Sequence, residues 1–364
     1  MTIHTPAEAV APESQGSRPS SMTAAVMYAP GDIRVEQAAV PSPGPGEVLL
    51  KVAACGVCGS DIPRMLRNGG YVMPIICGHE FSGWVEETGE GVTGFELGEL
   101  VSVPPLIPCQ RCDYCRRGEF GLCENYDYFG SRSNGAYAQY VVSPVGNLLT
   151  LPKGIDPRAA AMLDPAAIAL HGLWKTGLRA GHRVLVIGAG PIGLFGVQWA
   201  KLHGAAQIVT VDLSDEKSAM ALDAGATEAV QSADEARALG GRGFDIVLES
   251  AGVPATADMA ADLTGPLGHA VFIGIPHAPV PFGKETFNRF MRQEATLHGS
   301  WNSFSAPFPG DEWRTAAAKL ANGELKWEFM ITHELPLEAL PDTISKLGDR
   351  TIFSSKVLFL PNQN

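Results

Sequence analysis

The chain has 364 residues, 45% of them hydrophobic, and a formal net charge of −12. That length calls for more than one core, with two domains as the starting expectation. The acidic balance excludes a nucleic-acid partner, which needs a basic face, and no apolar run approaches the ~20 residues of a bilayer span.

Residues 1–22 are rich in Pro and Ser, lack a basic start and an apolar stretch, and carry Glu8 and Glu13. They read as a disordered tail without a leader sequence, so the expected compartment is the cytoplasm. From 23 to 164 the units are short. Strand-like runs at 48–55, 81–89, 99–103 and 136–142 are separated by Gly/Pro turns, which predicts a β-rich domain. From 165 to 303 strand and helix patterns alternate: strand 182–190, helix 191–204, strand 206–212, then helix 214–225 with Ser214 as N-cap and Gly225 as stop. Strands at 244–250 and 269–275 follow. This is the pattern of an α/β domain with a doubly wound parallel sheet. After 304 the rhythm is lost, leaving one helix (311–323) and a final strand (354–360).

Seven cysteines without a leader point to metal ligands or core positions ahead of disulfides. Cys109, Cys112, Cys115 and Cys123 follow C-x2-C-x2-C-x7-C, in a lobe at about 105–125. Four thiolates at that spacing give the closed tetrahedral shell of a structural zinc. An iron–sulfur cluster takes the same ligands, but nothing else in the chain points to electron transfer. Upstream, Cys58, His79 and Glu80 offer thiolate, imidazole and carboxylate, the mixed set of an open zinc site. Cys55 and Cys77 read as core.

GAGPIG (188–193) follows a predicted strand and opens a predicted helix, the context that gives G-x-G-x-x-G its meaning. Gly188 permits the turn, Gly190 lets a pyrophosphate approach the backbone, and Gly193 lets helix and strand pack closely. Pro191 and Ile192 begin the helix whose N-terminus meets the anion. Asp212 ends the next strand, where a carboxylate bonds a ribose 2′-hydroxyl and favours NAD over NADP. Lys217, one turn on, completes the candidate cofactor set.

With two zinc patterns ahead of a dinucleotide fold, and with CGSDIPR (58–64), PIICGHEFSG (74–83), FGSRSNGAYAQY (129–140) and GSWNSFSAPFPGDEW (299–313), the chain resembles the medium-chain, zinc-containing alcohol and polyol dehydrogenases. The resemblance implies a GroES-like catalytic domain, a Rossmann domain inserted in it, and a C-terminal segment (304–364) completing the first. It implies a catalytic zinc on Cys58, His79 and Asp164, with Glu80 as the substitute carboxylate. Ser60 falls where the family places the hydroxyl that first takes the substrate proton. Pro63 stands where many relatives carry a relay histidine, and it cannot pass a proton. The implied activity interconverts a secondary alcohol of a polyol or polyol phosphate and the ketone, with NAD and two zinc ions, in a homodimer or homotetramer.

A phosphate on the substrate calls for an arginine. Arg64, Arg67 and Arg132 lie in loops resembling the family's active-site rim, with Arg64 and Arg132 preferred. Asn302 and Trp301 lie where that pocket closes, although Trp301 also suits a core. A neutral polyol, cyclitol or aminocyclitol is the alternative substrate. A zinc-free NADPH reductase and a non-catalytic dinucleotide-binding protein are the competing classes.

Overall fold

The structure, a computed structural model, describes residues 18–363. The chain divides into two compact units. One holds residues up to Cys109, Glu124–Leu163 and Thr332–Asn364; the other holds Gln110–Cys123 and Asp164–Ile331.

The first unit is β-rich. Its central strand, Glu47–Gly56, is apolar at nearly every position and buried along its length. Each fully buried Val or Leu there contributes roughly 1.5–3 kcal/mol. It pairs antiparallel with Glu80–Thr88, with Tyr140–Pro144 and with the C-terminal strand Lys356–Phe359. A smaller sheet joins Ser21–Ala29 to Asp32–Ala39 and Ile75–Ile76.

Two expectations need correction here. The strand expected at 136–142 starts at Tyr140. Ala136 and Tyr137 give their N–H groups to Gly78 and Cys77, and Tyr137 accepts from Ala25, so this stretch ties a turn to the first strand without joining a ladder. The tail expected through residue 22 is shorter: the first strand starts at Ser21, and Arg18 bonds Glu87 and Ser42. Residues 1–17 lie outside the described residues.

The second unit is a six-stranded, all-parallel sheet. Its strands are β1 (Arg183–Ile187), β2 (Gln207–Val211), β3 (Glu228–Val230), β4 (Phe244–Glu249), β5 (Thr264–Phe272) and β6 (Thr296–Gly299), in the order 3-2-1-4-5-6. The helices are α1 (Leu163–Lys175), α2 (Pro191–Leu202), α3 (Asp215–Ala224), α4 (Ala233–Gly240), α5 (Pro254–Leu263), α6 (Lys284–Arg292) and α7 (Asp311–Ala321). α2 has Pro191 in its first turn. α3 is capped by Ser214 and stopped by Gly225 at φ 109°, a left-handed angle that a glycine takes without strain. The strand order reverses between β1 and β4, and ligands of such sheets bind beyond the strand ends at that point.

The boundary expected at 303/304 falls instead at 331/332. The reason is side-chain packing. Trp313 stacks on Phe304 and bonds Ser303, Glu312 on α7 pairs with His171 on α1, and Gln198 on α2 exchanges two bonds with the backbone of Lys326. α7 therefore belongs with the parallel sheet. Among the described residues no helix is long and apolar enough to cross a membrane.

Candidate metal centre and dinucleotide turn

Strand register brings the first cluster together. Gly56 pairs with Glu80, so the chain leaving one strand through Cys58 passes the chain entering the other through His79. The Cys58 Sγ, a His79 ring nitrogen and a Glu80 carboxylate oxygen lie within 4.8 Å of one another. Glu80 is buried and forms an ion pair with the equally buried Lys356. Gly56 makes room for that pair: a Cβ there would come 2.6 Å from Lys356 Cε and 2.8 Å from Glu80 Oε2.

Behind the cluster lies Asp61, fully buried. Its Oδ1 pairs with Arg64 at 2.8 Å and stands 3.3 Å from His79 Nδ1. Its Oδ2 accepts from the Tyr137 hydroxyl at 2.9 Å and the Cys58 N–H at 3.1 Å. The Ser60 hydroxyl donates to Cys58 Sγ at 3.3 Å. Burial works against charge in each group, yet the neighbours prevail. His79 opposite lowers Cys58 to about 7, and His79 and Arg64 lower Asp61 to about 2. Asp61 and Cys58 in turn raise His79 to about 10. Acid and base are thus coupled here, with the Cys58 thiol held toward its thiolate form. Thiolate, imidazole and carboxylate donors gathered in one place fit a divalent cation of zinc's type. Burial pushes the Lys356 ammonium down to about 8. Cys55 and Cys77 are fully buried; burial pushes the Cys55 thiol well up, and Cys77 to about 12.

The four-cysteine loop gathers Cys109, Cys112, Cys115 and Cys123 with their sulfurs within 4.8 Å of one another. No disulfide joins them. Four Zn–S bonds of about 2.3 Å in a tetrahedron set sulfurs about 3.8 Å apart; Cys112 and Cys123 stand at 4.0 Å. The donors therefore fit a closed zinc shell. The loop packs on the segment ahead of α7: Phe120 meets Phe308 edge-on, and Gly121 lies against the Trp301 carbonyl.

The glycine turn follows β1. Gly188 takes φ 92°. A Cβ on Gly193 would fall 1.9 Å from the Gly188 carbonyl oxygen, so only glycine lets α2 approach β1 this closely. A Cβ on Gly190 would meet nothing within 4 Å. Asp212 Oδ2 accepts from the Ala189 N–H at 2.8 Å, and its Oδ1 from Ser214. Lys217 lies in the first turn of α3, where Ser214 caps its N–H. Pro191 and Ile192 open α2.

The remaining sequence candidates fall as follows. Asp164 is buried in the first turn of α1. Pro63 is buried, and Arg67 is exposed. Arg132 is half-buried, its guanidinium 4.0 Å from the Tyr71 ring and 4.6 Å from the Tyr126 ring. Asn302 takes φ 57°, and its Nδ2 is buried without a hydrogen-bond partner. Trp301 is 51% exposed, which overturns its alternative reading as core. Sequence reasoning missed Asp61, Tyr137 and Lys356. Asp61 carried a signal, an acid three residues after Cys58. Lys356 carried none, because 276 residues separate it from Glu80.

Comparison with known proteins places this geometry. Residues 44–153 match the alcohol dehydrogenase GroES-like domain, and 191–322 match the zinc-binding dehydrogenase domain. The chain is 34% identical over 340 residues to galactitol 1-phosphate 5-dehydrogenase of Escherichia coli K12, covering 91% of this chain and 97% of that one. The crystal structure of galactitol-1-phosphate dehydrogenase from Escherichia coli superposes with a TM-score of 0.89 at 34% identity, over 93% of this chain and all of the other. Sorbitol dehydrogenase of Halalkalibacterium halodurans is 33% identical over 84% of this chain and 89% of its own. A zinc-binding dehydrogenase of Sinorhizobium meliloti 1021, solved bound to NADP, has a TM-score of 0.87 at 32% identity, over 94% of this chain and all of the other.

Proposed function

Because the chain belongs to the zinc-containing alcohol and polyol dehydrogenase family and is an oxidoreductase acting on CH–OH donors, we propose that it oxidises a secondary alcohol of a polyol phosphate to the ketose phosphate with NAD. The observation that carries this is the convergence of Cys58, His79 and Glu80 at the paired ends of two strands, together with the extent of the likeness to galactitol 1-phosphate 5-dehydrogenase.

Bound zinc and nicotinamide supply Lewis-acid activation of a hydroxyl and a hydride acceptor. Cys58 and His79 are assigned as metal ligands, with Asp164 as the third and Glu80 as its substitute. Asp61 places its carboxylate 3.3 Å from His79 Nδ1, and Tyr137 and Arg64 hold Asp61. We assign Arg64 to that task and not to the substrate, since its charge is matched by Asp61. The Ser60 hydroxyl takes the substrate proton and passes it to water or ribose, because Pro63 cannot relay it. Gly188, Gly190 and Gly193 bring the N-terminus of α2 to the pyrophosphate, and Asp212 takes the ribose hydroxyls, supported by Lys217. Asn302, strained and with an unsatisfied amide, binds a substrate hydroxyl. Cytoplasmic location and a homodimer or homotetramer complete the proposal.

The test is a screen for NADH formation with polyols, cyclitols and their phosphates. Turnover restricted to unphosphorylated compounds supports instead the second reading, a neutral polyol dehydrogenase, for which the likeness to sorbitol dehydrogenase speaks. A preference for NADP overturns the assignment of Asp212.

A further inference from the structure

We propose that Arg132, held against Tyr71 and Tyr126, is the group that binds the phosphomonoester of the substrate. The proposal rests on the reading of the chain as a polyol-phosphate dehydrogenase.

The first observation is how the guanidinium is held. It lies over two tyrosine rings, at 4.0 Å from the Tyr71 centroid and 4.6 Å from that of Tyr126. Such contacts fix a long side chain in one place and cover its carbon, leaving the N–H groups as the polar outlet. The holding extends to the backbone. Tyr71 donates its N–H to the Ser131 carbonyl, while Arg132 and Ser133 both donate to the Tyr128 carbonyl.

The second observation is charge. Arg18, Arg34, Arg64 and Arg158 of the same unit each face a carboxylate. Arg67 and Arg350 of that unit, both exposed, make no ion pair, and among the described residues neither does the half-buried Arg132. The Arg132 Nε is buried without a hydrogen-bond partner, so the outer end of the guanidinium is what an anion from outside the chain can meet. A phosphomonoester suits it, since its oxygens match the fork of an arginine.

The third observation is position. The loop carrying Arg132 is built on the turn that presents His79. A Cβ on Gly130 would fall 2.8 Å from the Gly78 nitrogen, and one on Gly135 would fall 2.0 Å from the Gly78 oxygen. Rings connect the two places: His79 meets Tyr128 edge-on at 5.6 Å, and Tyr128 meets Tyr126 at 6.4 Å. Two ring–ring contacts and its own contact with Tyr126 thus link Arg132 to His79.

The experiment compares wild type with R132Q, R132K and Y71A. It measures kcat and KM for galactitol and galactitol 1-phosphate, and binding of inorganic phosphate by calorimetry. The ratio of kcat/KM for the phosphate over the free polyol should fall roughly 10- to 100-fold in R132Q, the range for losing a charge-assisted hydrogen bond. The loss should appear mainly in KM, with R132K intermediate because it keeps charge without the fork. Y71A, changed at a residue 71% exposed, keeps the fold testable should R132Q misfold, and it should weaken phosphate several-fold. An unchanged ratio in R132Q, or equal losses on both substrates, overturns the proposal. If neither compound is oxidised but inorganic phosphate binds wild type and not R132Q, the anion site stands and the functional reading fails.

Discussion

Asp61 shows how much of the metal centre is held by groups that need not touch the metal. It accepts from Tyr137 and the Cys58 N–H, pairs with Arg64 and stands beside the His79 ring. Asp61→Asn keeps the shape but removes the charge that favours a cation there. The expected result is zinc affinity about 10- to 100-fold weaker, read by chelator competition; unaltered affinity would show that Asp61 plays no part in tuning the site. Lys356 and Glu80 pose a different question, since both are buried. Lys356→Met strands the Glu80 carboxylate, which costs about 3–5 kcal/mol in denaturant unfolding. Adding Glu80→Gln should restore most of that loss, and a double variant as unstable as the single one would mean that packing outweighs charge.

At the scale of elements, the glycine turn offers a contrast. Gly193→Ala forces a Cβ against the Gly188 carbonyl and should disrupt the packing of α2 on β1. Gly190→Ala meets open space and an extended backbone that any residue adopts. It should therefore melt within about 0.5 kcal/mol of wild type, yet bind NADH at least about tenfold more weakly if that space takes the pyrophosphate as proposed. Wild-type NADH affinity in Gly190→Ala, read by fluorescence titration, would move the cofactor elsewhere. The tie between α1 and α7 responds to pH. Burial opposes ionisation of Glu312, but hydrogen bonds from His171 and Ser305 hold its carboxyl below the usual glutamate value. A folded-state pKa below the unfolded one contributes stability that is present above the unfolded value and lost as pH falls through the folded one. Wild type should thus exceed Glu312→Gln in stability near neutrality, with the gap closing in acid below about 4.5. A gap independent of pH would remove the carboxylate from the account.

For the whole molecule, the donor sets call for two zinc ions per chain, one open and one closed. Metal analysis of wild type should return about two, and Cys112→Ser about one. A single zinc in wild type would leave one of the two clusters without its metal. The lobe's contacts with Phe308 and the Trp301 carbonyl predict that loss of the closed site loosens the segment ahead of α7, seen as faster amide hydrogen exchange at 301–308.

Local signals carried much of this protein. The spacing of Cys109, Cys112, Cys115 and Cys123, the G-x-G-x-x-G between a strand and a helix, the cap at Ser214 and the stop at Gly225 all act within about fifteen residues, where chain geometry alone confines the partners. Their chemistry could therefore be read directly from residue order. What lay beyond reach depended on long-range packing. The partnership of Glu80 with Lys356, the packing of Arg132 on Tyr71 and the allegiance of α7 to the parallel sheet each join residues far apart in the chain. Only the tertiary structure decides such contacts, because burial sets whether a charge is matched, and burial belongs to the fold and not to the residue.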